Sequence, residues 1–473
     1  MGGVVVIGAG MAGLLSAAAA SQVGHAVTVL ERDDLGLEDP ASDGGAGVAA
    51  PRAGVPQGHH SHALLHAGLT AMEQLLPGLR QEVVDAGGVP FDTGDLAWLS
   101  PQGWSSTGRP AYEVLGVTRP LVEAVVRRRV CSLGVRLRSG VRVTGVRRAP
   151  RGGGWSVALA GTDVAADVIL DASGRGSRLG SWLSTLGVGP ATATVVDPGV
   201  GYASRLYRLP TGALHPYAGV VVQPSPDSPF GGSALPVEDG RWILAAQGFG
   251  AGRPGRDAAS MRALFERLPD PVLADLVGAG EPVGDVHTYR RAGNVRHHYE
   301  RLTDWPDGLL PVGDSLCAFN PVYGQGISVA ARQALLLRDV LDVTDIRAPG
   351  AVGQAVLRRL QQVADLPWSL STGADRSFPA ASDGRQRPFE RALGWWATQV
   401  GALSTHGDDR AQQSLSRLYH LVGSPAELLA PALVLSVVRG RLAGLPPAVP
   451  RPAFPLSPAP ASLTGPDRSG RAR

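Results

Sequence analysis

A glycine-rich turn near the start of the chain restricts the fold more than any other feature of the sequence. The apolar run Val4–Ile7 predicts a buried β-strand, and Leu14–Ser21 predicts a helix. Between them lies Gly8-Ala9-Gly10-Met11-Ala12-Gly13, and a second apolar run, Val27–Leu30, follows the helix. A strand, a glycine turn, a helix and a second strand in this order predict an α/β fold that begins with a Rossmann-like unit.

The spacing of the glycines and of one carboxylate indicates what this unit binds. Gly8 permits the tight turn, Gly10 lets a pyrophosphate approach the backbone, and Gly13 lets the helix pack closely on the sheet. Glu31 follows the second strand, where a carboxylate can accept hydrogen bonds from both ribose hydroxyls. The candidate cofactor contacts in this unit are Gly8, Gly10, Met11, Ala12, Gly13, Glu31 and Arg32. The pattern predicts dinucleotide binding, and the alternative is a glycine-rich turn in an ordinary α/β domain.

The composition excludes several classes of function. All 44 basic residues of the 473-residue chain are arginines, so P-loop phosphate binding, Schiff-base chemistry and pyridoxal-phosphate catalysis, which need a lysine amine, are excluded. The net charge of only +3, with the arginines scattered, argues against a nucleic-acid partner. Cys131 and Cys317 cannot build a disulfide framework, and glycines interrupt the apolar N-terminal run. We therefore expect a cytoplasmic protein without a membrane span.

Three later segments favour a flavin over a nicotinamide cofactor. Asp167–Gly174 is an apolar run closed by small residues, and it resembles the second strand motif of flavoproteins. Leu310–Asp314 resembles their third motif, and Asn320–Ile327 then opens a helix. Gly324 and Gly326 would let the backbone reach the isoalloxazine ring, and the helix N-terminus can stabilise negative charge on the reduced ring. The three motifs together predict FAD.

The chain as a whole resembles the class A-type FAD-dependent monooxygenases, which have the p-hydroxybenzoate hydroxylase fold. A closer resemblance is to the flavin-dependent epoxidases of polyether polyketide biosynthesis, and it covers roughly residues 1–345. The segments that carry the resemblance are Gly54–His62, Tyr202–Tyr207, Pro236–Trp242, Ala318–Gly326 and several residues between Asn294 and Gly308.

This resemblance assigns further residues to the cofactor. Arg119 matches an arginine near the FAD phosphates and ribityl chain, and the alternative for it is a surface arginine at a helix N-terminus. Arg52 and the loop from Gln57 to His62 would flank the flavin, and Asp314 would accept a hydrogen bond from the ribityl chain. The remaining candidate contacts are Pro321, Gly324, Gly326 and Ile327.

The predicted domain organisation is a mixed α/β fold with an insertion. Residues 1–188 and 288–345 would form the Rossmann-like FAD-binding domain, and residues 189–287 a β-sheet substrate domain that roofs the isoalloxazine. A C-terminal helical region, 346–445, would follow, and then a proline-rich tail, 446–473, that we predict to be extended or disordered. The aromatic candidates for the substrate cavity are Tyr202, Tyr207, Phe230, Trp242 and Phe249.

The resemblance also implies the reaction. One oxygen atom of O2 would be inserted into a lipophilic small molecule by a hydroperoxide at flavin C4a. NAD(P)H would reduce the flavin directly or through a separate flavin reductase, and both routes stay open because Ala172-Ser173-Gly174 replaces the Asp-Gly associated with NAD(P)H handling in aromatic hydroxylases. We predict epoxidation of olefins in a polyketide or terpenoid-like natural product, since epoxidation needs little acid–base help and no catalytic side-chain base can be assigned. The alternatives are a hydroxylase of an aromatic or terpenoid substrate and a non-redox FAD-containing biosynthetic cyclase.

Two other functions are disfavoured by the residues present. Flavin halogenases share the fold, but by resemblance they require a catalytic lysine and a Trp-x-Trp-x-Ile-Pro segment, and this chain has neither. A cluster of His59, His60, His62 and His66 places two imidazoles four residues apart, a spacing that could chelate zinc. No third ligand is evident, so we predict no metal and leave the function of the cluster open.

Overall fold

A computed structural model describes residues 2–36, 50–149, 154–290, 292–381 and 388–455. One sequence prediction falls partly beyond these ranges. The predicted proline-rich tail includes residues 456–473, which lie outside the described residues.

Strands dominate the first two thirds of the described chain, and helices dominate the rest. The strands are β1 (Gly3–Ile7), β2 (Ala26–Leu30), β3 (His62–Ala63), β4 (Val89–Asp92), β5 (Leu96–Ser100), β6 (Gly103–Trp104), β7 (Glu113–Val117), β8 (Arg136–Arg138), β9 (Gly145–Arg148), β10 (Trp155–Ala158), β11 (Asp163–Ala166), β12 (Val168–Asp171), β13 (Ala193–Val196), β14 (Val200–Arg208), β15 (Gly219–Val222), β16 (Phe230–Val237), β17 (Arg241–Phe249), β18 (Glu281–Tyr289), β19 (Asn294–His297), β20 (Leu309–Pro311) and β21 (Cys317–Ala318). The α-helices are α1 (Met11–Gln22), α2 (His66–Leu75), α3 (Leu79–Asp85), α4 (Arg119–Ser132), α5 (Leu179–Thr185), α6 (Ala258–Phe265), α7 (Val272–Ala279), α8 (Gly326–Val343), α9 (Gln354–Val363), α10 (Asp365–Asp375), α11 (Pro388–Thr405), α12 (Asp409–Tyr419) and α13 (Pro431–Ala443).

Five parallel strands form the sheet of the N-terminal unit. Their order is β20-β12-β1-β2-β8, so β1 lies at the centre with β2 on one side and β12 on the other. The apolar side chains of β1 are buried, as expected for a parallel sheet that is covered on both faces. Because the strands are parallel, the carboxyl ends of β1, β2, β12 and β20 meet at one edge. A change of strand order beside β1 opens a crevice there, which is where such sheets bind ligands.

The first helix packs very closely on this sheet and on α8. Its buried residues include a run of small side chains, Ser16 to Ala20, and α1 contacts both α4 and α8. Gly13 lies against the turn that precedes the helix, and a Cβ at this position would be only 1.9 Å from the carbonyl oxygen of Gly8. Only glycine therefore fits at position 13 without a shift of the backbone.

A seven-stranded sheet forms the second unit. Its order is β18-β14-β17-β16-β15-β5-β6, with all neighbours antiparallel except β15 and β5. Strands β5 and β6 come from residues 96–104, so the sheet is not made by the predicted segment 189–287 alone. Helices α6 and α7 pack on one face of it through Phe265 and Leu273, and the other face is turned toward a large cavity.

The C-terminal helices have a core of their own. Apolar residues of α11, α12 and α13, such as Val400, Leu418 and Val437, pack together. Residues 446–455 then run without helix or strand but are firmly attached, because Arg451 Nε lies 2.6 Å from Asp270 Oδ2 and the Phe454 ring packs near Trp104. The described part of the predicted tail is thus extended, and it is held against the second unit.

The predicted fold class is confirmed. The structure has mixed α/β architecture with a parallel sheet at the glycine turn, an antiparallel-rich sheet of which five strands lie between β12 and β20 and two before β12, and helices at the C-terminal end. The individual predicted elements around the glycine turn also form where the apolar runs place them.

The close packing at Gly13 leads to a stability prediction. We expect Gly13→Ala to lower the free energy of unfolding by about 1–3 kcal/mol, because the added methyl group overlaps a backbone oxygen and the helix must move away from the sheet. Gly10→Ala is the matched control, since a Cβ at Gly10 meets no protein atom within 4 Å. Urea unfolding of the two cofactor-free variants measures the difference. Equal unfolding midpoints would contradict the close approach.

Candidate functional site

One continuous cavity joins the crevice of the parallel sheet to the second unit. It has a volume of about 1610 Å³ and extends from the glycine turn to the inner face of the seven-stranded sheet and the C-terminal helices. Pockets for a single drug-sized ligand usually measure roughly 300–1,000 Å³. The cavity is therefore large enough for a dinucleotide and a second molecule beside it.

The glycine turn presents an open helix N-terminus to this cavity. Gly8 has a φ of +103°, a conformation that favours glycine, and its amide donates to the carbonyl oxygen of Leu30 at 2.8 Å. Gly10 precedes α1, and neither a capping side chain nor an acidic residue covers the first turn of that helix. The free backbone N–H groups and the positive end of the helix dipole can bind a phosphate, and nothing on Gly10 obstructs its approach.

A network of carboxylates and arginines surrounds the next part of the cavity. The carboxylate of Glu31 accepts a hydrogen bond from the Ala9 amide at 2.7 Å and lies 3.2 Å from Arg52 Nη1. Arg52 Nε also donates to Glu123 at 2.7 Å, and the other oxygen of Glu123 accepts from Arg119 Nε at 3.1 Å. Burial opposes the charge of Arg52, but the nearby Glu123 and Glu31 carboxylates dominate and raise its pKa. Two charged guanidinium groups are thereby fixed at the cavity wall.

The third sequence motif lies opposite the glycine turn. Gly313 has a φ of +60°, and a Cβ there would be 2.6 Å from the side chain of Ala12. Asp314 follows and lines the cavity, with one carboxylate oxygen 3.5 Å from Arg175 Nε. Burial raises the pKa of Asp314, while Arg175 and Arg119 act in the opposite direction. The sequence interpretation placed a ribityl hydroxyl at this carboxylate, and the cavity gives such a hydroxyl room.

The loop before α8 presents a second open helix N-terminus. Gly324 has a φ of +67°, and α8 begins at Gly326 without a capping side chain. The side-chain oxygen of Gln325 is buried and has no hydrogen-bond partner among the described residues. Buried polar groups usually have hydrogen-bond partners. A polar ring bound in the cavity could supply a donor for the Gln325 oxygen and acceptors for the free amides of α8.

Asp375 supports this loop from behind. Its buried carboxylate accepts hydrogen bonds from Asn294 Nδ2 at 2.6 Å, from Asn320 Nδ2 at 3.0 Å and from the Tyr323 hydroxyl at 2.7 Å. Burial raises the pKa of Asp375 to about 6, although these donors stabilise its charged form. Two of the donors belong to the loop, so this carboxylate fixes the shape of the cavity wall beside α8.

The structure brings the predicted cofactor residues together around this cavity. Gly13 is the exception, since it packs behind the turn. The predicted residues that line the cavity are Gly8, Gly10, Met11, Ala12, Glu31, Arg32, Arg52, Gln57, Arg119, Asp314, Pro321, Gly324, Gly326 and Ile327.

The predicted substrate residues do not all face the cavity. Tyr202 lines it, but Tyr207, Phe230 and Trp242 belong to the apolar layer between the seven-stranded sheet and helices α6 and α7. Successive side chains of a strand point to opposite faces, and these three lie on the face that the helices cover. Phe249 stacks on Phe378, with ring centroids 3.9 Å apart, at the end of β17. Of the five aromatic candidates for the substrate cavity, these four therefore do not line it.

Two buried polar atoms at the sheet side of the cavity have no partner among the described residues. They are Nε2 of His60 and the hydroxyl of Tyr202, whose rings meet edge to face with centroids 4.4 Å apart. The other ring nitrogen of His60 lies 2.8 Å from the Ser204 hydroxyl, which fixes the imidazole. Burial lowers the pKa of His60 to about 3, so the ring is neutral near pH 7. The pair can exchange hydrogen bonds with a bound polar group.

The four clustered histidines have different surroundings. His59 stacks on His287 with ring centroids 3.6 Å apart, while His62 Nδ1 is 2.8 Å from the carbonyl oxygen of His60. His66 Nδ1 is 3.3 Å from another backbone carbonyl oxygen. Within the described ranges, no three histidine, cysteine, aspartate or glutamate side chains are grouped so that they could hold a metal ion.

Sequence reasoning missed several residues that shape the cavity. Glu123 stands four residues after Arg119 on α4, and this helical spacing was a usable signal for an ion pair. Arg175 follows the carboxyl end of β12, a position where functional residues of parallel sheets gather. Asp375 gave no such signal, because only the tertiary fold brings α10 to the loop before α8.

Comparisons with known proteins agree with a flavoprotein site. Residues 3–102 match the family of FAD dependent oxidoreductases. The chain is 32% identical over 410 residues to Protein Rv3254 of Mycobacterium tuberculosis, an alignment that covers 83% of this chain and 82% of the relative. The family match supports the prediction that FAD is the cofactor.

Solved structures with different activities share the fold. A triple mutant of the flavin-dependent brominase Bmp2 has a TM-score of 0.64 at 15% identity, covering 93% of this chain and 99% of its own. The Diels-Alderase PyrE3 has a TM-score of 0.57 at 19% identity, covering 88% and 80%. PqsL of Pseudomonas aeruginosa, a probable FAD-dependent monooxygenase, has a TM-score of 0.56 at 17% identity, covering 79% and 96%. The fold is thus one that flavin-dependent enzymes use, and function must be argued from the site.

The buried carboxylate of Asp375 generates a pH prediction. A carboxyl whose pKa is higher in the folded than in the unfolded chain binds more protons when folded, so its contribution to stability falls as the pH rises from about 4 to about 6. Asp375→Asn removes this titration. We expect the stability of the wild type relative to the variant to fall by about 2 kcal/mol between pH 4.5 and 7. Urea unfolding of both proteins at the two pH values measures it, and parallel pH profiles would show that Asp375 has an ordinary pKa.

The position of Asp314 generates a cofactor prediction. We expect Asp314→Ala to weaken FAD binding by about 10- to 150-fold, the usual effect of losing a hydrogen bond to a charged group. Asp342→Ala is the matched control, because Asp342 is exposed and does not line the cavity. Fluorescence titration of the cofactor-free proteins with FAD measures both. Equal affinities would remove Asp314 from the cofactor site, and Glu31→Ala gives the same test at the ribose end.

Proposed function

The chain belongs to the same protein family as Protein Rv3254, and we propose that it is a FAD-dependent monooxygenase that epoxidises olefins of a lipophilic polyketide or terpenoid-like molecule. One observation carries the proposal. The cavity that begins at two open helix N-termini continues without interruption along an inner wall with Val221, Leu235 and Phe319. A cofactor and an apolar substrate could therefore lie side by side in it.

The residues present fit FAD. The glycine turn and the start of α1 would bind the pyrophosphate, with Arg52 and Arg119 adding positive charge. Glu31 would bind the ribose and Asp314 the ribityl chain. The loop before α8 would hold the ring, with the Gln325 oxygen available to it. When bound and reduced, FAD supplies the activation of O2 for transfer to a substrate.

The protein would contribute positioning and the exclusion of water. The inner face of the seven-stranded sheet and the C-terminal helices line the far end of the cavity, and an apolar substrate bound there would keep water away from a reactive oxygen donor. Side chains such as Leu96, Trp98 and Leu235 would hold an apolar substrate in one orientation, which accelerates reaction by fixing the reacting atoms.

Three of the four histidines that line the cavity are poor bases for a phenol, and the fourth, His298, is held by Thr194 and Glu300, which favours an olefin as the acceptor. Burial lowers the pKa of His60 to about 3 and the pKa values of His62 and His420 to about 4. Hydroxylation of a phenol benefits from a base whose pKa lies near the operating pH, and these three are far weaker bases. Epoxidation of an alkene does not need one.

The source of electrons is part of the proposal. The end of β12 carries Ala172-Ser173-Gly174, which does not match the segment associated with NAD(P)H handling in the aromatic hydroxylases. NAD(P)H would therefore act either directly or through a separate flavin reductase. The free cysteines Cys131 and Cys317 fit a reducing setting, and we place the reaction in the cytoplasm.

An oxygen-labelling experiment tests the proposed function. The FAD-loaded protein receives ¹⁸O2, NAD(P)H and a panel of alkene-bearing polyketides and terpenoids, with and without an added flavin reductase. We expect an epoxide that contains one ¹⁸O atom, and the dependence on the reductase identifies the route of the electrons. The Asp314→Ala protein, supplied with the same free flavin, is the control for oxidation in solution.

Two other outcomes would reject the proposal in favour of its alternatives. Product that carries ¹⁸O only as a ring hydroxyl would identify a hydroxylase of aromatic or terpenoid substrates. Conversion that proceeds equally well without oxygen and reductant would identify a non-redox cyclase that contains FAD.

A further inference from the structure

The last helix has an apolar stripe on its outer face. Leu435, Val438 and Leu442 occupy positions i, i+3 and i+7 of α13, a spacing that places them on one side of a helix. Their exposed fractions are 68%, 46% and 84%, whereas Leu433 and Val437 on the opposite side are buried in the core of the C-terminal helices. The stripe is therefore not needed for the packing of α13 within the chain.

Positive charge flanks the stripe on both sides. Successive residues of an α-helix lie 100° apart around its axis. Arg439 therefore lies 100° beyond Val438, on one flank of the stripe, and Arg441 lies 100° before Leu442, on the other flank. Both arginines are exposed, and α13 contains no acidic residue. Exposed apolar side chains with arginines beside them offer an anionic membrane both apolar groups for the region below the headgroups and positive charge for the phosphates.

The stripe adjoins the mouth of the cavity. Arg441 is stacked near Trp395 of α11, with 5.5 Å between the guanidinium carbon and the ring centroid. Trp395, Leu393, Phe389 and Leu429 all line the cavity, yet their side chains are between 44% and 72% exposed. Large apolar side chains thus surround the opening next to the stripe.

We propose that the outer face of α13 docks on anionic phospholipid membranes and turns the cavity mouth toward the bilayer. The arginines would pair with lipid phosphates, and the three apolar side chains would enter the region below the headgroups. No helix in the described part of the chain is long and apolar enough to cross a bilayer, so the attachment is peripheral. The purpose of the docking rests on the proposed function, because a lipophilic substrate dissolved in the membrane could then enter the cavity without crossing water.

A second copy of the chain fits this face less well than a membrane does. Two copies packed stripe against stripe around a twofold axis would bring Arg439 and Arg441 of both chains together, and α13 offers no carboxylate to pair with them. An anionic bilayer supplies many phosphates and an apolar interior at once.

Vesicle sedimentation of the full-length, FAD-loaded protein tests the proposal. Vesicles of equal parts phosphatidylglycerol and phosphatidylcholine are compared with vesicles of phosphatidylcholine alone. We expect binding to the anionic vesicles that weakens with added salt, and little binding to the neutral ones. Leu435→Ser with Leu442→Ser should weaken partitioning about tenfold or more. Arg439→Gln with Arg441→Gln should weaken it about fivefold for each arginine.

Matched controls separate docking from a loss of folding. Val343→Ser removes an equally exposed apolar side chain, 83% exposed, at the end of α8, and it should bind vesicles as the wild type does. Arg128→Gln, an exposed arginine on α4, is the charge control. All variants should retain FAD, because none of the substituted residues lines the cavity.

Three outcomes would overturn the proposal. They are the absence of vesicle binding, equal binding to neutral vesicles, and unchanged binding of the double serine variant. A wild-type dimer in light scattering that the serine substitutions dissociate, without vesicle binding, would assign the stripe to a second copy instead. Oxygenation of a detergent-dispersed substrate should be unaffected by the serine substitutions, so a failed monooxygenase assay and a failed docking assay are distinguishable.

Discussion

The guanidinium group of Arg52 connects three parts of the chain on which the shape of the cavity depends. It donates to the carbonyl oxygen of Ala9 in the glycine turn at 3.1 Å, to Asp33 after β2 at 2.9 Å and to Glu123 on α4 at 2.7 Å. Buried charges are tolerated only when they are paired with charges of the opposite sign. Arg52 is paired with Glu31, Asp33 and Glu123. The same contacts keep Glu31 and Arg119 in place, so the binding surface exists before any ligand arrives.

The sequence predicted which residues meet at the glycine-turn end of the cavity, because the motifs that contain them are local. Gly8, Gly10 and Glu31 are set by one strand, one turn and one helix, and the residues around Asp314 by one further strand and turn. The cavity wall of the second unit was harder to predict. One face of its central strands is covered by α6 and α7, and the other face lines the cavity in the interior of the protein. Apolar residues therefore do not alternate regularly with polar ones along these strands. Trp242 and Tyr202 are equally plausible cavity residues in the sequence, and only the register of the sheet separates them.

Residues that act through tertiary contacts could not be predicted at all. Asp375 comes from α10 and meets Asn294 and Asn320 only in the folded chain. Strand β5 pairs with β15 across more than a hundred residues, so the second unit begins much earlier in the sequence than its composition indicates. The surroundings of His60 could not be predicted for the same reason, because its contacts with Ser204 and Tyr202 come from β14.

The attachment of residues 446–455 has a consequence for the order of events during synthesis. The contacts of Arg451 with Asp270 and of Phe454 with Trp104 and Tyr217 tie the end of the helical region back to a sheet made much earlier. Domains generally fold in the order in which they leave the ribosome, so the parallel sheet and the glycine turn are formed while this segment is still being made. The part of the cavity wall that α11 and α12 contribute is therefore added only after the crevice of the parallel sheet has formed, and residues 446–455 then attach the helical region to the far face of the seven-stranded sheet. A bulky ligand has that interval in which to enter the crevice from a side that the finished chain partly covers.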